Sequence, residues 1–145
     1  MSLKKQSGFT LIEIMVVVVI LGILAALIVP KIMERPNQAR VVKTKQDILA
    51  IQDALDLYKL DNGFYPSMDQ GLKALVIKPE TTPAPMNWKT GGYLARLPID
   101  PWNQAYQYMN PGIHNPNGVD IYTYNGSSGQ HTEQNMIGNW NLENN

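Results

Sequence analysis

At 145 residues the chain holds about one domain once any anchor is subtracted, so an ordinary enzyme with a deep cleft would be cramped. Twelve basic and twelve acidic side chains cancel, which argues against a general nucleic-acid binder; the local cluster of Lys and Arg from Lys31 to Lys45 reads as a solvated helix face. With no cysteine, a disulfide framework and a thiol metal site are excluded, and the redox compartment stays open.

The first element is the apolar run within "KKQSGFTLIEIMVVVVILGIL". No charged residue falls between Ile14 and Val29, and with Phe9 to Ile12 the run reaches about 20 residues, the length a helix needs to cross a hydrocarbon core. A cleaved secretory signal would need a shorter core and a small-x-small site; Ala25 and Ala26 are the only candidates, and Ile23 and Leu24 spoil the spacing. Charge does not orient the span, because Lys4 and Lys5 precede it while Lys31, Arg35, Arg40, Lys43 and Lys45 follow. Glu13 inside the run either sits at the headgroup interface or requires a partner, since a carboxylate in hydrocarbon is costly.

Beyond the span, Val41, Ile48, Ile51, Leu55 and Tyr58 recur at helical spacing with charges on other faces, which predicts an amphipathic helix from about Asn37 to Leu60. Asn62-Gly63 supplies its stop. Joined to the apolar segment, it makes a rod of roughly 50 residues and about 75 Å. Pro30 and Pro36 each remove a backbone donor, so the rod is expected to kink or loosen between Gly22 and Arg35.

From Asp61 to Pro101 the chain reads as mostly irregular, with a short helix at "GLKALVI" and a proline-rich excursion at "KPETTPAPMNWKTGGY" that Tyr65 and Trp88 pin to the helix stripe. "QAYQYMN" and "VDIYTYN" alternate polar and bulky residues around the turn chemistry of "PGIHNPNG", and read as antiparallel strands. A third short strand fits Met136 to Trp140. The fold class is α+β: a long N-terminal helix packed on a small antiparallel sheet of two to three strands. The segments are 1–8, 9–30 (membrane and assembly helix), 31–60 (amphipathic helix), 61–100 (variable connection) and 101–145 (sheet and C-terminal loop).

"SGFTLIEIMVVVVILGILAALIVP" resembles the leader and first helix of type IV pilins and type II secretion pseudopilins: a basic leader ending in glycine, then phenylalanine, then an apolar run with glutamate at the fifth mature position. Here these are Gly8, Phe9 and Glu13, with Gly22 and Pro30 at the family spacing. The resemblance implies that a prepilin peptidase cuts after Gly8 on the cytoplasmic side and methylates Phe9, so that residues 1–8 are a leader and the remainder is periplasmic. Glu13 would then pair with the Phe9 amine of a neighbouring subunit, compensating two charges in a dry bundle and fixing register. Farther on, "ALDLYKLDNGFYPSMDQGLKALV", "YLARLPIDPWNQAYQYMNPGIH" and "IGNW" resemble the major pseudopilin family of type II secretion, general secretion pathway protein G, over nearly the whole chain. Asn103, where the family usually has glycine, and Pro36 depart from the pattern.

That family implies a structural subunit of a periplasmic pseudopilus that drives export of folded proteins. Its implied partners are further copies in a homopolymer, other pseudopilins, the prepilin peptidase, an inner-membrane platform with a cytoplasmic ATPase, and the outer-membrane secretin. The alternative is a type IV pilus or minor-pilin-like subunit displaying an adhesive or DNA-binding surface. The family commonly holds calcium through aspartates in stretches matching "NGSSG" and "EQNM"; here Ser127, Ser128, Gln134, Asn135 and Met136 stand there, with Glu133 the sole nearby carboxylate, so no cofactor or metal is expected. His114 and His131 lack metal-motif spacing and read as loop residues. No nucleophile elbow, phosphate loop or paired-carboxylate arrangement is present, and no catalytic residue is assigned.

Overall fold

Residues 7–10 are non-helical, and the single long helix α1 begins at Leu11 and runs to Asn62. The computed structural model describes residues 7–126 and 131–144, and for 28–34 the helical backbone alone. Most of the leader, with Lys4 and Lys5, the side chain of Pro30, and Ser127 and Ser128 lie outside the described residues. The chain divides into two units, Met1–Ala39 and Arg40–Asn145.

In the first unit the side chains from Phe9 to Leu27 are exposed around the whole helix. Among the described residues no helix is long and apolar enough to cross a membrane; the far end of the span expected over 9–30 falls where side chains are not described. α1 remains helical through Pro30 and Pro36, so the kink or loosening expected between Gly22 and Arg35 is not a break in the helix. Proline's fixed φ is itself close to helical, so each ring removes one hydrogen bond without forcing its own residue out of the helix.

In the second unit Ile48, Ile51, Leu55 and Tyr58 are fully buried along one line of α1, and Val41 packs against the edge of the same cluster. Thr44 completes the line: it is buried too, and its hydroxyl donates to the Arg40 carbonyl at 2.9 Å, so its own donor is met within the helix. α1 stops where its sequence says. Gly63 adopts a left-handed φ of 84° and its amide donates to the Lys59 carbonyl at 2.7 Å, the bond of a left-handed C-cap.

The "GLKALVI" stretch forms a 3₁₀ turn, Leu72–Leu75, that buries Leu72, Ala74 and Leu75. Tyr65 ties the connection to α1 by donating to Asp56 at 2.7 Å, with the Lys59 ammonium 4.5 Å above its ring. Trp88 anchors elsewhere than expected, donating to the Ala74 carbonyl of the 3₁₀ turn at 2.9 Å. Tyr93 makes the second tie to α1: its ring lies 5.3 Å from that of Tyr58, and its hydroxyl donates to Asp61 at 2.9 Å and accepts from Asn62 at 3.1 Å.

Three antiparallel strands follow, β1 (Gln107–Met109), β2 (Asp120–Tyr124) and β3 (Met136–Gly138), in the order β1-β2-β3. Tyr108 faces Ile121 across one pair and Thr123 faces Ile137 across the other. Tyr106, Val119, Ile121 and Ile137 join the α1 line in one core, so the sheet covers the helix's apolar stripe. β1 is shorter than its alternating pattern because Ala105 pairs only through a single bridge to Ile99. Between them, the buried Asp100 carboxylate accepts the amides of Trp102 at 3.0 Å and Gln104 at 2.7 Å and the Thr123 hydroxyl. That turn forces Asn103 to φ 63°, a conformation glycine adopts freely and asparagine tolerates.

Candidate functional site

The N-terminal junction is built from four residues. Thr10 is the N-cap of α1 and Glu13 its third helical residue: the Thr10 amide donates to Glu13 Oε2 at 2.9 Å, and the Glu13 amide donates to Thr10 Oγ1 at 3.3 Å. This reciprocal pair is a capping box, satisfying two amides that the first helical turn leaves without carbonyl partners. The first backbone bond of the helix, Ile14 amide to Thr10 carbonyl, spans 3.4 Å. Gly8 and Phe9 therefore stay outside the helix, Phe9 is 85% exposed, and a side chain added at Gly8 would meet nothing within 4 Å. Phe9, Ile12, Glu13, Val16 and Val17 border a shallow apolar depression of about 410 Å³.

Sequence reasoning sought a partner for Glu13 on a neighbour; within one chain that partner is Thr10. The signal was available, since Thr-x-x-Glu ahead of an apolar run is a capping-box pattern. Gly22 lies on the exposed part of the same helix, and a Cβ there would meet no atom within 4 Å, so nothing inside the single chain requires glycine.

In the folded unit the main polar hub is Asp120, 1% exposed at the start of β2. Its Oδ2 accepts the amides of Ile113 and His114, both at 2.8 Å, and its Oδ1 accepts the Asn115 amide and side chain, both at 3.0 Å. The His114 ring nitrogen lies 3.2 Å from Oδ2. Burial would raise this carboxyl, but the bonds from His114, Asn115 and Ile113 outweigh it and hold the group below the usual aspartate range. Gly112 is required beside it, because a Cβ there would fall 2.4 Å from Asp120 Oδ1. Asn139 is a second hub, with its side chain donating to Gln52 of α1 at 2.8 Å and to the Val119 carbonyl at 2.9 Å, and accepting the Ile121 amide at 3.2 Å. Neither residue was singled out by sequence reasoning, since a lone Asp in "VDIY" and a lone Asn in "IGNW" carry no spacing signal.

The two histidines are structural and separate. The His114 ring stacks on Trp140 with centroids 3.7 Å apart and planes 3° from parallel, while His131 lies 4.3 Å from the Tyr124 ring. In the C-terminal connection the Asn125 amide donates to the Asn135 carbonyl at 2.6 Å, the Asn135 amide to Thr132 at 3.0 Å, and Gln104 to the Gly126 carbonyl at 3.2 Å. Calcium takes six to eight oxygens, usually with several carboxylates. Glu133 is exposed and is the carboxylate described in this stretch, and among the described residues no cluster of three or more His, Cys, Asp or Glu forms.

Comparison with known proteins bears on the whole chain. Residues 31–140 match the family described as type II secretion system (T2SS), protein G, and residues 3–29 match the prokaryotic N-terminal methylation motif. The type II secretion system core protein G of Pseudomonas aeruginosa is 57% identical over 142 residues, covering 97% of this chain and 99% of the relative. That of Vibrio cholerae is 50% identical over 144 residues, covering 97% and 96%. The crystal structure of the major pseudopilin from the type 2 secretion system of enterohaemorrhagic Escherichia coli superposes with a TM-score of 0.65 at 42% identity, covering 74% of this chain and 92% of that one. The long helix, the three-stranded antiparallel sheet and the methylation motif thus occur together in one chain, and the chain belongs to the type II secretion system protein G family, as a structural subunit of the pseudopilus.

Proposed function

We propose that this chain is made as a precursor, cut between Gly8 and Phe9 by a prepilin peptidase and methylated on the new Phe9 amine. It then waits in the inner membrane as a single-pass protein with its N-terminus in the cytoplasm and its folded unit in the periplasm. Assembly moves the apolar helix from lipid into a bundle of like helices, so burial of its side chains is exchanged rather than lost. In that bundle the Glu13 carboxylate leaves Thr10 for the Phe9 amine of a neighbour, and Gly22 and Pro30 bracket a section that loosens as subunits extend.

The role is structural, without catalysis, nucleic acid or cofactor, and the C-terminal connection is held by amide hydrogen bonds in place of calcium. The homopolymer works with other pseudopilins, a membrane platform and ATPase that supply force, and the outer-membrane secretin through which folded proteins leave. The observation that carries this reading is the junction itself: Gly8 and Phe9 lie in non-helical backbone directly ahead of a capped, wholly exposed apolar helix.

Mass spectrometry of the protein from membranes tests it, with methylated Phe9 as the expected N-terminus. A bulky residue at Gly8 has room in the chain itself, so precursor accumulating on Gly8→Leu reports a requirement of the peptidase. A mature N-terminus elsewhere would overturn the reading.

A further inference from the structure

Three Asn-Gly steps occur in the chain, Asn62-Gly63, Asn117-Gly118 and Asn125-Gly126. An asparagine followed by glycine can lose its side-chain amide without an enzyme, because the glycine nitrogen, with no side chain beside it, reaches the asparagine Cγ and closes a five-membered imide. The glycine amide is the nucleophile, so one that already donates to a carbonyl must first open that bond. The fold treats the three steps differently. The Gly63 amide donates to the Lys59 carbonyl at 2.7 Å, and the Asn62 side chain is itself tied, donating to the Tyr58 carbonyl at 3.0 Å and the Tyr93 hydroxyl at 3.1 Å and accepting the Asn87 amide at 2.9 Å. The Gly118 amide donates to the Asn115 carbonyl at 2.9 Å. At the third step, among the described residues, the Gly126 amide has no acceptor and the exposed Asn125 side chain makes no hydrogen bond. The atoms on either side are held: the Asn125 amide donates to the Asn135 carbonyl at 2.6 Å, and the Gly126 carbonyl accepts the Gln104 side chain at 3.2 Å. A Cβ placed on Gly126 would meet nothing within 4 Å, so no neighbour blocks the approach.

We propose that Asn125 is a modification site, at which the folded protein converts its own asparagine to aspartate and isoaspartate without an enzyme, while bonds on the following amide protect Asn62 and Asn117. Base removes the Gly126 amide proton and the nitrogen attacks Asn125 Cγ; the new N–Cγ bond forms, the Cγ–Nδ2 bond breaks, and ammonia leaves. Water then opens the imide. Opening at Cγ restores the ordinary peptide bond and leaves aspartate, whereas opening at the main-chain carbonyl of Asn125 routes the backbone through Cγ and leaves isoaspartate. The sum consumes one water and releases one ammonia, with no oxidant or reductant. The position gives the change a consequence. Asn125 directly follows β2, and its bond to Asn135 continues the register of the Tyr124–Met136 pair. Isoaspartate lengthens the main chain by one methylene at that point, so it acts on the end of the β2–β3 ladder. Either product adds one negative charge to a chain whose formal net charge is zero.

The test incubates the full chain, folded in detergent, in mildly alkaline buffer and follows the three asparagines by peptide mass spectrometry. Trypsin leaves Asn117 and Asn125 in one fragment, since no Lys or Arg follows Arg96, but chymotryptic cleavage after Tyr122 or Tyr124 separates them. Electron-transfer fragmentation distinguishes isoaspartate from aspartate. Asn125 should convert about fivefold or more faster than Asn62 or Asn117, the factor that one amide hydrogen bond imposes on opening. In urea, where those bonds are gone, the three rates should converge. Hydrogen exchange supplies a readout independent of the chemistry: the Gly126 amide should exchange ahead of those of Gly63 and Gly118. Asn125→Gln, whose longer side chain would have to close a larger ring, should melt like the wild type and stay unconverted. Conversion of Asn62 or Asn117 as fast as Asn125 in the folded protein, or none at Asn125 under conditions where the unfolded chain converts, overturns the site. A preference for Asn125 that persists undiminished in urea overturns the role of the fold and assigns the rate to local sequence.

Discussion

Glu13 and Thr10 satisfy one another across the first turn of α1, amide to carboxylate at 2.9 Å and amide to hydroxyl at 3.3 Å. The carboxylate placed in the apolar run is therefore not idle before assembly, because it holds the helix start at Leu11 and leaves the Gly8–Phe9 peptide accessible. Glutamine can fill the same capping position, whereas only a carboxylate can compensate a neighbour's amine.

The two roles separate by substitution. Glu13→Gln should insert, be cleaved and begin its helix at the same residue, yet fail to form filaments. The measurement is filament yield beside precursor and mature levels in the membrane fraction. Normal filaments from Glu13→Gln would assign the carboxylate to capping alone.

Asp120 predicts an acid limit to stability. Its folded pKa lies below the ordinary value near 3.8, so its contribution is complete above that value and is lost as pH falls through the lower folded one. Asp120→Ala removes the acceptor of several buried amides and should cost about 3 kcal/mol at neutral pH. Urea melts of the full chain in detergent from pH 7 down to about pH 2 should show the wild type and Asp120→Ala converging at the acid end. A gap unchanged across that range would separate the loss from the carboxylate's charge.

Tyr58 gives a prediction of the opposite sign. Its ring is fully buried against Phe64 and Tyr93, but its hydroxyl finds no hydrogen-bond partner among the described residues. Removing an unmet buried hydroxyl is neutral or favourable, so Tyr58→Phe should leave stability unchanged or raise it by up to about 1 kcal/mol, while Tyr58→Ala costs about 3 to 5 kcal/mol. A clear loss in Tyr58→Phe would place an ordered water on the hydroxyl.

Metal dependence follows from the donor set around Glu133. A saturating ion at about a hundredfold excess over its Kd would add about 2.7 kcal/mol, equivalent to roughly 10 °C in a domain of this size. With none held, a chelator should move Tm by less than about 2 °C, and calcium should not restore any difference. A fall of roughly 10 °C reversed by calcium would show that carbonyls and Glu133 suffice.

The core line of α1, its stop at Gly63 and the strand pair around the "PGIHNPNG" turn were legible because each rests on a local period or a residue with a special backbone preference. Thr44 was not, since a buried threonine that bonds its own helix looks polar in a hydropathy pattern. Asp120, Asn139 and Tyr93 were hidden for another reason: their roles depend on which distant segments meet, with partners such as Gln52 lying 87 positions from Asn139. Pro30 and Pro36 each remove a donor, yet the backbone around them stays helical. The Thr10–Glu13 box could have been read from sequence, but the family resemblance drew attention to a partner on another subunit.

Filaments of the full chain, imaged by cryo-EM to side-chain detail, test the central claim most directly. The account predicts a helical polymer of this chain beginning at Phe9, with Glu13 released from Thr10 and facing the Phe9 amine of a neighbour. Ordered filaments in which Glu13 still caps Thr10 of its own chain, with no amine beside it, would contradict it.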